Sequence, residues 1–258
     1  MKIRTFPIFL KIFVQSTKKY LLNLVKFYLC FKKRGSKIKK DGVHKFYKEI
    51  PMRKKSHISL ARYMVQHLND EELRRHKFSF YLGSILPDIK PSFLYKRHEI
   101  NGTFHFVRKR IERLSEGERA IEKKGRKYYL DLGQISHYLA DYFTFPHNEV
   151  YEGSLKEHCS YEEKLKRDLR NFLKGGAQGK EQHLSVRKIV EGHEHRGGHF
   201  PNAEELCDFI QKVHKDYTAR RHNVEDDIHH IVEVNRMAID GITKLLAARR
   251  AEWRLRHL

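Results

Sequence analysis

From about residue 56 onward, apolar side chains recur every three or four positions, the spacing of helices with one buried face. Ile58, Leu60, Ala61, Met64, Val65 and Leu68 follow this period, with Ser56 as the candidate N-cap. Glu71 to Leu82 predicts a second helix ended by Gly83. The stretch Leu86-Pro87-Asp88-Ile89-Lys90-Pro91 is expected to be irregular, because two prolines flank it. Thr103 to Arg113 predicts a helix with Phe104, Val107 and Ile111 on one face. Tyr128 to Phe143 is the strongest apolar helix, and Tyr161 to Phe172, Ala203 to Tyr217 and Val224 to Leu246 continue the series. Gly175 to Gly198 is rich in Gly and His and reads as a loop region. Alternating strand patterns are almost absent. The expectation is an all-α, single-domain bundle of roughly seven to nine helices with no internal repeat.

Lys32 to Asp41 is a charge run that reads as a linker. Residues 1–50 are therefore assigned to a basic amphipathic extension and linker, 51–250 to the helical domain and 251–258 to a basic tail. Apolar runs in the extension, Phe6–Leu10, Ile12–Val14, Leu21–Val25 and Phe27–Phe31, are interrupted by Lys11, Lys18, Lys19 and Lys26. None approaches the ~20 apolar residues of a spanning helix. No small-residue cleavage site follows a clean apolar core, so a secretory signal peptide fits poorly. The mixture suits a helix lying on an anionic membrane as well as it suits a plain basic extension. A cytoplasmic location with peripheral membrane contact is the expectation.

Composition sharpens the choice of partner. The net charge of +21 predicts attraction to polyanions: nucleic acid, anionic lipid or phosphorylated substrates. Cys30, Cys159 and Cys207 are far apart and odd in number, and no CxxC pair exists. Neither a disulfide framework nor a zinc ribbon is indicated. Eighteen histidines are many, and their spacing is more informative than their number.

His137 and Asp141 are four apart in an apolar helix, so they share a face. A buried charge there needs a partner, and a divalent cation satisfies both side chains. His147 follows Pro146, and His158 and Glu162 form a second pair at the same spacing. Imidazole nitrogen mixed with carboxylate oxygen suits zinc better than magnesium or calcium. Five candidate ligands exceed one tetrahedral site, so more than one metal is expected. Paired metals are a known way to clamp a phosphoryl group. His57, Asp88, His98 and His105 lie upstream and could complete the coordination spheres. A single pair of this kind is usually a hydrogen-bonded core pair, whereas two pairs joined by a Pro-His turn favour metal.

At these residues the sequence resembles the zinc-dependent phospholipase C family of bacteria, relatives of the S1/P1-type nucleases. The matching segments are Lys55-Ser56-His57-Ile58, Leu82 to Asp88, Gly133 to Phe143, Pro146-His147-Asn148 and His158-Cys159-Ser160-Tyr161-Glu162. The resemblance covers about Pro51 to Leu246. It implies that His147, His158 and Glu162 hold one zinc, and that His137 and Asp141 hold a second with Asp88 and a downstream histidine. His98 is favoured for that histidine because it closely follows the Pro91-Ser92-Phe93 turn, and His105 is the alternative. Asp141 would bridge to a third zinc also bound by His57. Asp88 is implied as a metal ligand or as the general base that accepts a proton from the attacking water. Secreted relatives complete the third site with an N-terminal tryptophan, whereas the one tryptophan here is Trp253. Two zinc ions are expected, with the third in question.

The implied activity is hydrolysis of phospholipid to diacylglycerol and a phosphorylated headgroup by metal-activated water. Two other readings stand beside it: a zinc phosphodiesterase or nuclease acting on nucleic acid or a small phosphate ester, and a non-catalytic, metal-stabilised domain associated with membrane. Two further clusters carry less. Gly192 to His199 reads as a flexible polar loop near the site entrance. Asp226, Asp227, His229 and His230 open the last long helix, where first-turn acids are favourable.

Overall fold

The helix Arg126–Tyr142 forms the centre of the molecule, because its side chains are apolar or small on almost every side and nearly all of them are buried. The structure is a computed structural model that describes residues 55–89, 99–175, 199–220 and 223–257. In chain order the helices are α1 (55–67), α2 (Glu71–Arg75), α3 (Lys77–Ile89), α4 (Ile100–Ser115), α5 (Glu118–Glu122), α6 (Arg126–Tyr142), α7 (Leu155–Lys174), α8 (Ala203–Thr218) and α9 (Val224–Arg256). A 3-10 turn, Phe145–His147, lies between α6 and α7. The described residues contain no strand, as the all-α expectation requires. The N-terminal extension, His98, Cys30 and the loop region from 176 to 198 lie outside the described residues.

The tightest helix pair is α3 against α6. Gly83 and Gly133 face each other at the crossing. A Cβ on Gly83 would stand 2.1 Å from the Leu130 carbonyl oxygen, and one on Gly133 would stand 2.2 Å from that of Phe80. Only glycine permits this backbone approach. Gly83 therefore sits inside α3 as a packing residue and does not end it. The expected break at Leu86 to Pro91 is also corrected, since α3 runs through Pro87 to Ile89. Pro87 falls in the last turn, where its missing N–H costs a single intrahelical bond and its ring has little helix left to disturb. The predicted second helix is in turn divided at His76, and Asp70 caps the short α2 by accepting from Leu73 N–H. Ser56 lies within α1 and not ahead of it as a cap.

The other helices wrap this pair. Leu60, Ala61, Met64, Val65 and Leu68 form the buried face of α1, and Phe104, Val107 and Ile111 that of α4. α9 packs along α6, α4, α7 and α8. Its 33 residues correspond to a rod of about 50 Å. The helix crosses the expected boundary at residue 250 without a break and continues, exposed, to Arg256. α7 begins earlier than the apolar pattern suggested. Ser154 and Glu157 form a reciprocal capping box that fixes its first turn. His158 and Glu162 consequently project from a helix that is already established.

Candidate metal centre

His137 is fully buried on α6, and its Nδ1 lies 2.9 Å from the Ser84 carbonyl oxygen on α3. A carbonyl can only accept, so Nδ1 carries the proton and donates it. That leaves Nε2 with a lone pair aimed at two carboxylates, 3.1 Å from Asp141 Oδ2 and 3.6 Å from Asp88 Oδ1. A lone pair facing carboxylate oxygens is repulsive unless a proton or a cation stands between them. Orientation of one ring nitrogen by a backbone carbonyl is the usual support of a metal-bound histidine.

Asp141, one helical turn further, joins the two halves of the site. Its Oδ1 lies 3.4 Å from His57 Nε2 and 3.3 Å from His147 Nδ1. His147 Nε2 and His158 Nε2 both meet Glu162 Oε1, at 2.9 and 3.0 Å. The ligand atoms of His57, Asp88 and His137 lie within 4.8 Å of one another, as do those of His147, His158 and Glu162. Each group offers nitrogen and carboxylate oxygen in the number a tetrahedral zinc uses, with one position left over. Three imidazoles converging on one buried carboxylate is a costly arrangement that a divalent cation relieves. The residues present therefore fit zinc.

The electrostatics agree with this crowding. Burial lowers the His57 pKa, and the neighbouring His137 lowers it further. Burial also opposes protonation of His137 and His147, but the adjoining carboxylates outweigh it in both. His137 is raised by Asp141 and Asp88, and His147 is pushed up to about 9 by Asp141 and Glu162. Burial would raise Asp141, yet His137, His147 and His57 together hold it well below the usual carboxylate range.

Six of the expected site residues (His57, Asp88, His137, His147, His158 and Glu162) thus fall into two adjacent groups with Asp141 between them. His98 lies outside the described residues. His105 is exposed on α4, beside the Phe106 ring, and belongs to neither group. It falls on the solvent side because Phe104, Val107 and Ile111 take the buried face of that helix. Trp253, on the exposed end of α9, is partly exposed beside His257.

A small open cleft reaches this centre. Its lining combines His57, Asp141, His147 and Glu162 with Leu60, Leu165, Leu169 and Ile231. Asp88 and His137 are both buried, and neither is among the residues that line the cleft.

Several supporting residues gave no sequence signal of their own. Asn148 donates to the carbonyls of Tyr142 and Thr144, and the His214 ring on α8 donates to Asn148 Oδ1 at 2.8 Å. Asp227, expected to be a favourable first-turn acid, is fully buried. It accepts from Phe145 N–H, Tyr161 Oη and Tyr217 Oη. Its pairing with tyrosines far away in sequence is invisible until the helices are packed.

Two adjacent His-carboxylate groups in an all-helical domain, with His57, Asp141, His147 and Glu162 reaching a cleft, fit a zinc-binding protein. A sequence model of the family described as zinc dependent phospholipase C matches residues 56–224, well over half of the chain. The chain belongs to the zinc-dependent phospholipase C family. Comparison with curated proteins and with solved structures gave no match. Membership supports a phospholipase C-like hydrolase in general, with zinc as its metal.

Proposed function

We propose that the chain hydrolyses phospholipid at the glycerol side of the phosphate, releasing diacylglycerol and a phosphorylated headgroup. The carrying observation is the cleft, whose lining combines metal-type ligands with leucine and isoleucine. A phosphodiester bearing an aliphatic group matches both kinds of lining, whereas base stacking would call for aromatic side chains and the apolar lining residues here are aliphatic.

Two zinc ions are proposed, one held by His147, His158 and Glu162 and one by His57, Asp88 and His137, with Asp141 between. Zinc in these positions would supply Lewis acidity, lowering the pKa of water and neutralising charge on the phosphoryl oxygens. The chain's own residues do the rest. Ser84 O fixes the His137 ring, so that its Nε2 is held ready before substrate arrives. The apolar wall excludes water beside the reacting phosphorus and seats the lipid portion. In the reaction an oxygen of water bonds to phosphorus, the bond from phosphorus to the glycerol oxygen breaks, and the water's proton passes to that leaving oxygen. Asp88 is proposed as a metal ligand, because it is buried with its Oδ1 3.6 Å from His137 Nε2 and groups with His57.

The net charge of +21 supports peripheral contact with an anionic surface, in a cytoplasmic setting. No described helix is long and apolar enough to cross a membrane. The deciding experiment is metal analysis of the purified chain combined with turnover on a short-chain phospholipid, a chromogenic phosphodiester and single-stranded DNA. About two zinc ions per chain, and lipid turnover lost to a chelator and restored by zinc, are expected. An intact fold with no bound zinc, or bound zinc with no turnover on any of the three, would overturn the proposal. Faster turnover of DNA than of lipid would replace it with the nuclease reading.

A further inference from the structure

Asp227 lies three residues beyond the segment that the family match covers, 56–224, and the reaction proposed above does not use it. It is nonetheless 0 % exposed at the point where four elements meet. Its Oδ2 accepts from the Phe145 N–H at 2.9 Å and from Tyr161 Oη at 2.9 Å, and its Oδ1 accepts from Tyr217 Oη at 2.7 Å. Phe145 opens the 3-10 turn that ends on His147, and Tyr161 precedes Glu162 on α7. One carboxylate oxygen on α9 thus ties the backbone of the His147 turn to the helix that carries Glu162. The two ligands so aligned meet at 2.9 Å.

We propose that Asp227 is a positioning residue for the site formed by His147, His158 and Glu162, setting the distance between the turn and α7, with no corresponding role at the site of His57, Asp88 and His137. The proposal rests on the zinc-centre reading above. The physical reason is separation. The turn is only three residues long and cannot fix its own orientation relative to α7. His137 and Ser84 are already fixed by the close contact of α3 with α6. A ligand site held by a short turn depends on what buttresses the turn, whereas one with two of its three members, Asp88 and His137, on interlocked helices depends on it less.

The test is zinc affinity, site by site. The full-length chain is stripped with a chelator and titrated with zinc against a chromophoric competitor, and the same titration is run on Asp227→Ala, Asp227→Asn and Tyr161→Phe. Glu162→Gln identifies which binding class belongs to the His147 site. In Asp227→Ala that class should weaken about tenfold or more, the scale typical for loss of an outer partner of metal ligands, while the other class is unchanged. Asp227→Asn keeps an acceptor of the same shape and should restore most of the affinity. Tyr161→Phe removes a single hydroxyl from a partly buried position and should weaken the same class severalfold. Equal weakening of both classes would mean general loosening of the fold and overturn the proposal, as would unchanged affinities in Asp227→Ala and Tyr161→Phe. If Asp227→Ala does not fold, Tyr161→Phe decides alone. A folded wild-type chain that binds no zinc overturns the zinc-centre reading together with this one, whereas a zinc-loaded wild type with unaffected variants overturns this one only.

Discussion

Gly83 and Gly133 lie so close that a Cβ placed on either would stand about 3 Å or less from the other's Cα, at 3.0 and 2.9 Å. This contact brings the Ser84 carbonyl to His137 and sets Asp88 one helical turn beyond, so the packing of two glycines determines one side of the metal centre. Gly133→Ala should force the helix backbones apart, because the atoms in the way are backbone atoms that cannot rotate aside. The expected cost is about 2 kcal/mol or more, at the upper part of the range for overpacking. Urea unfolding of the metal-free protein measures it. A loss below about 0.5 kcal/mol would mean that the pair can separate freely.

Asp88→Asn separates two roles for a buried carboxylate. If Asp88 is a ligand, zinc affinity at the site shared with His57 and His137 should fall along with activity, and added zinc should recover part of the turnover. If it is the general base, both zinc ions should stay bound while kcat falls by a factor of about 10² to 10⁴. The ligand outcome is expected, because Asp88 is buried and its carboxylate groups with the ring nitrogens of His57 and His137.

The sequence foretold the clustering of histidines and carboxylates further than it foretold the scaffold. His137 with Asp141 and His158 with Glu162 were legible because helical periodicity alone places residues four apart on one face. The apolar faces of α1 and α4 were legible for the same reason. The end of α3 was not, because glycine and proline are local breakers whose effect tertiary packing reversed at Gly83 and Pro87. The start of α7 was available as Ser154-Leu155-Lys156-Glu157, a capping-box spacing that the apolar pattern overshadowed. Asp227 had no such signal. Its partners come from α7, α8 and the turn before His147, so nothing within a few residues distinguishes it from the half-buried Asp226.

Leu165 tests the apolar wall. Leu165→Ala removes a buried side chain at the cleft and is expected to cost some stability, so absolute rates are a poor measure. The ratio of kcat/KM for a short-chain phospholipid to that for a small chromogenic diester is insensitive to the folded fraction. It should fall about tenfold, the worth of roughly two methylenes against an apolar wall. An unchanged ratio would show that the lipid portion does not contact this wall.

Asp227 also predicts a stability profile with pH. Burial pushes its carboxyl up to about 7, against the pull of the Phe145 N–H and the Tyr217 and Tyr161 hydroxyls, with the nearby Asp226 adding to the rise. In the unfolded chain the group titrates near the ordinary aspartate value of about 4. Between these values the unfolded chain releases a proton that the folded chain keeps, so stability falls as pH rises from about 4 to about 7 and levels off above that. Asp227→Asn abolishes this contribution. His147, raised to about 9 by Asp141 and Glu162 in spite of burial, acts with the opposite proton balance. Its stabilisation is full below about 6.5 and fades as pH approaches 9, but it is common to both proteins and cancels in their difference. The unfolding free energy of wild type minus that of Asp227→Asn, measured with chelator present, should therefore fall as pH rises from about 4 to about 7, by on the order of a few kcal/mol. A difference that stays flat across that range would mean that Asp227 is already ionised in the folded chain near pH 4, held so by its three donors.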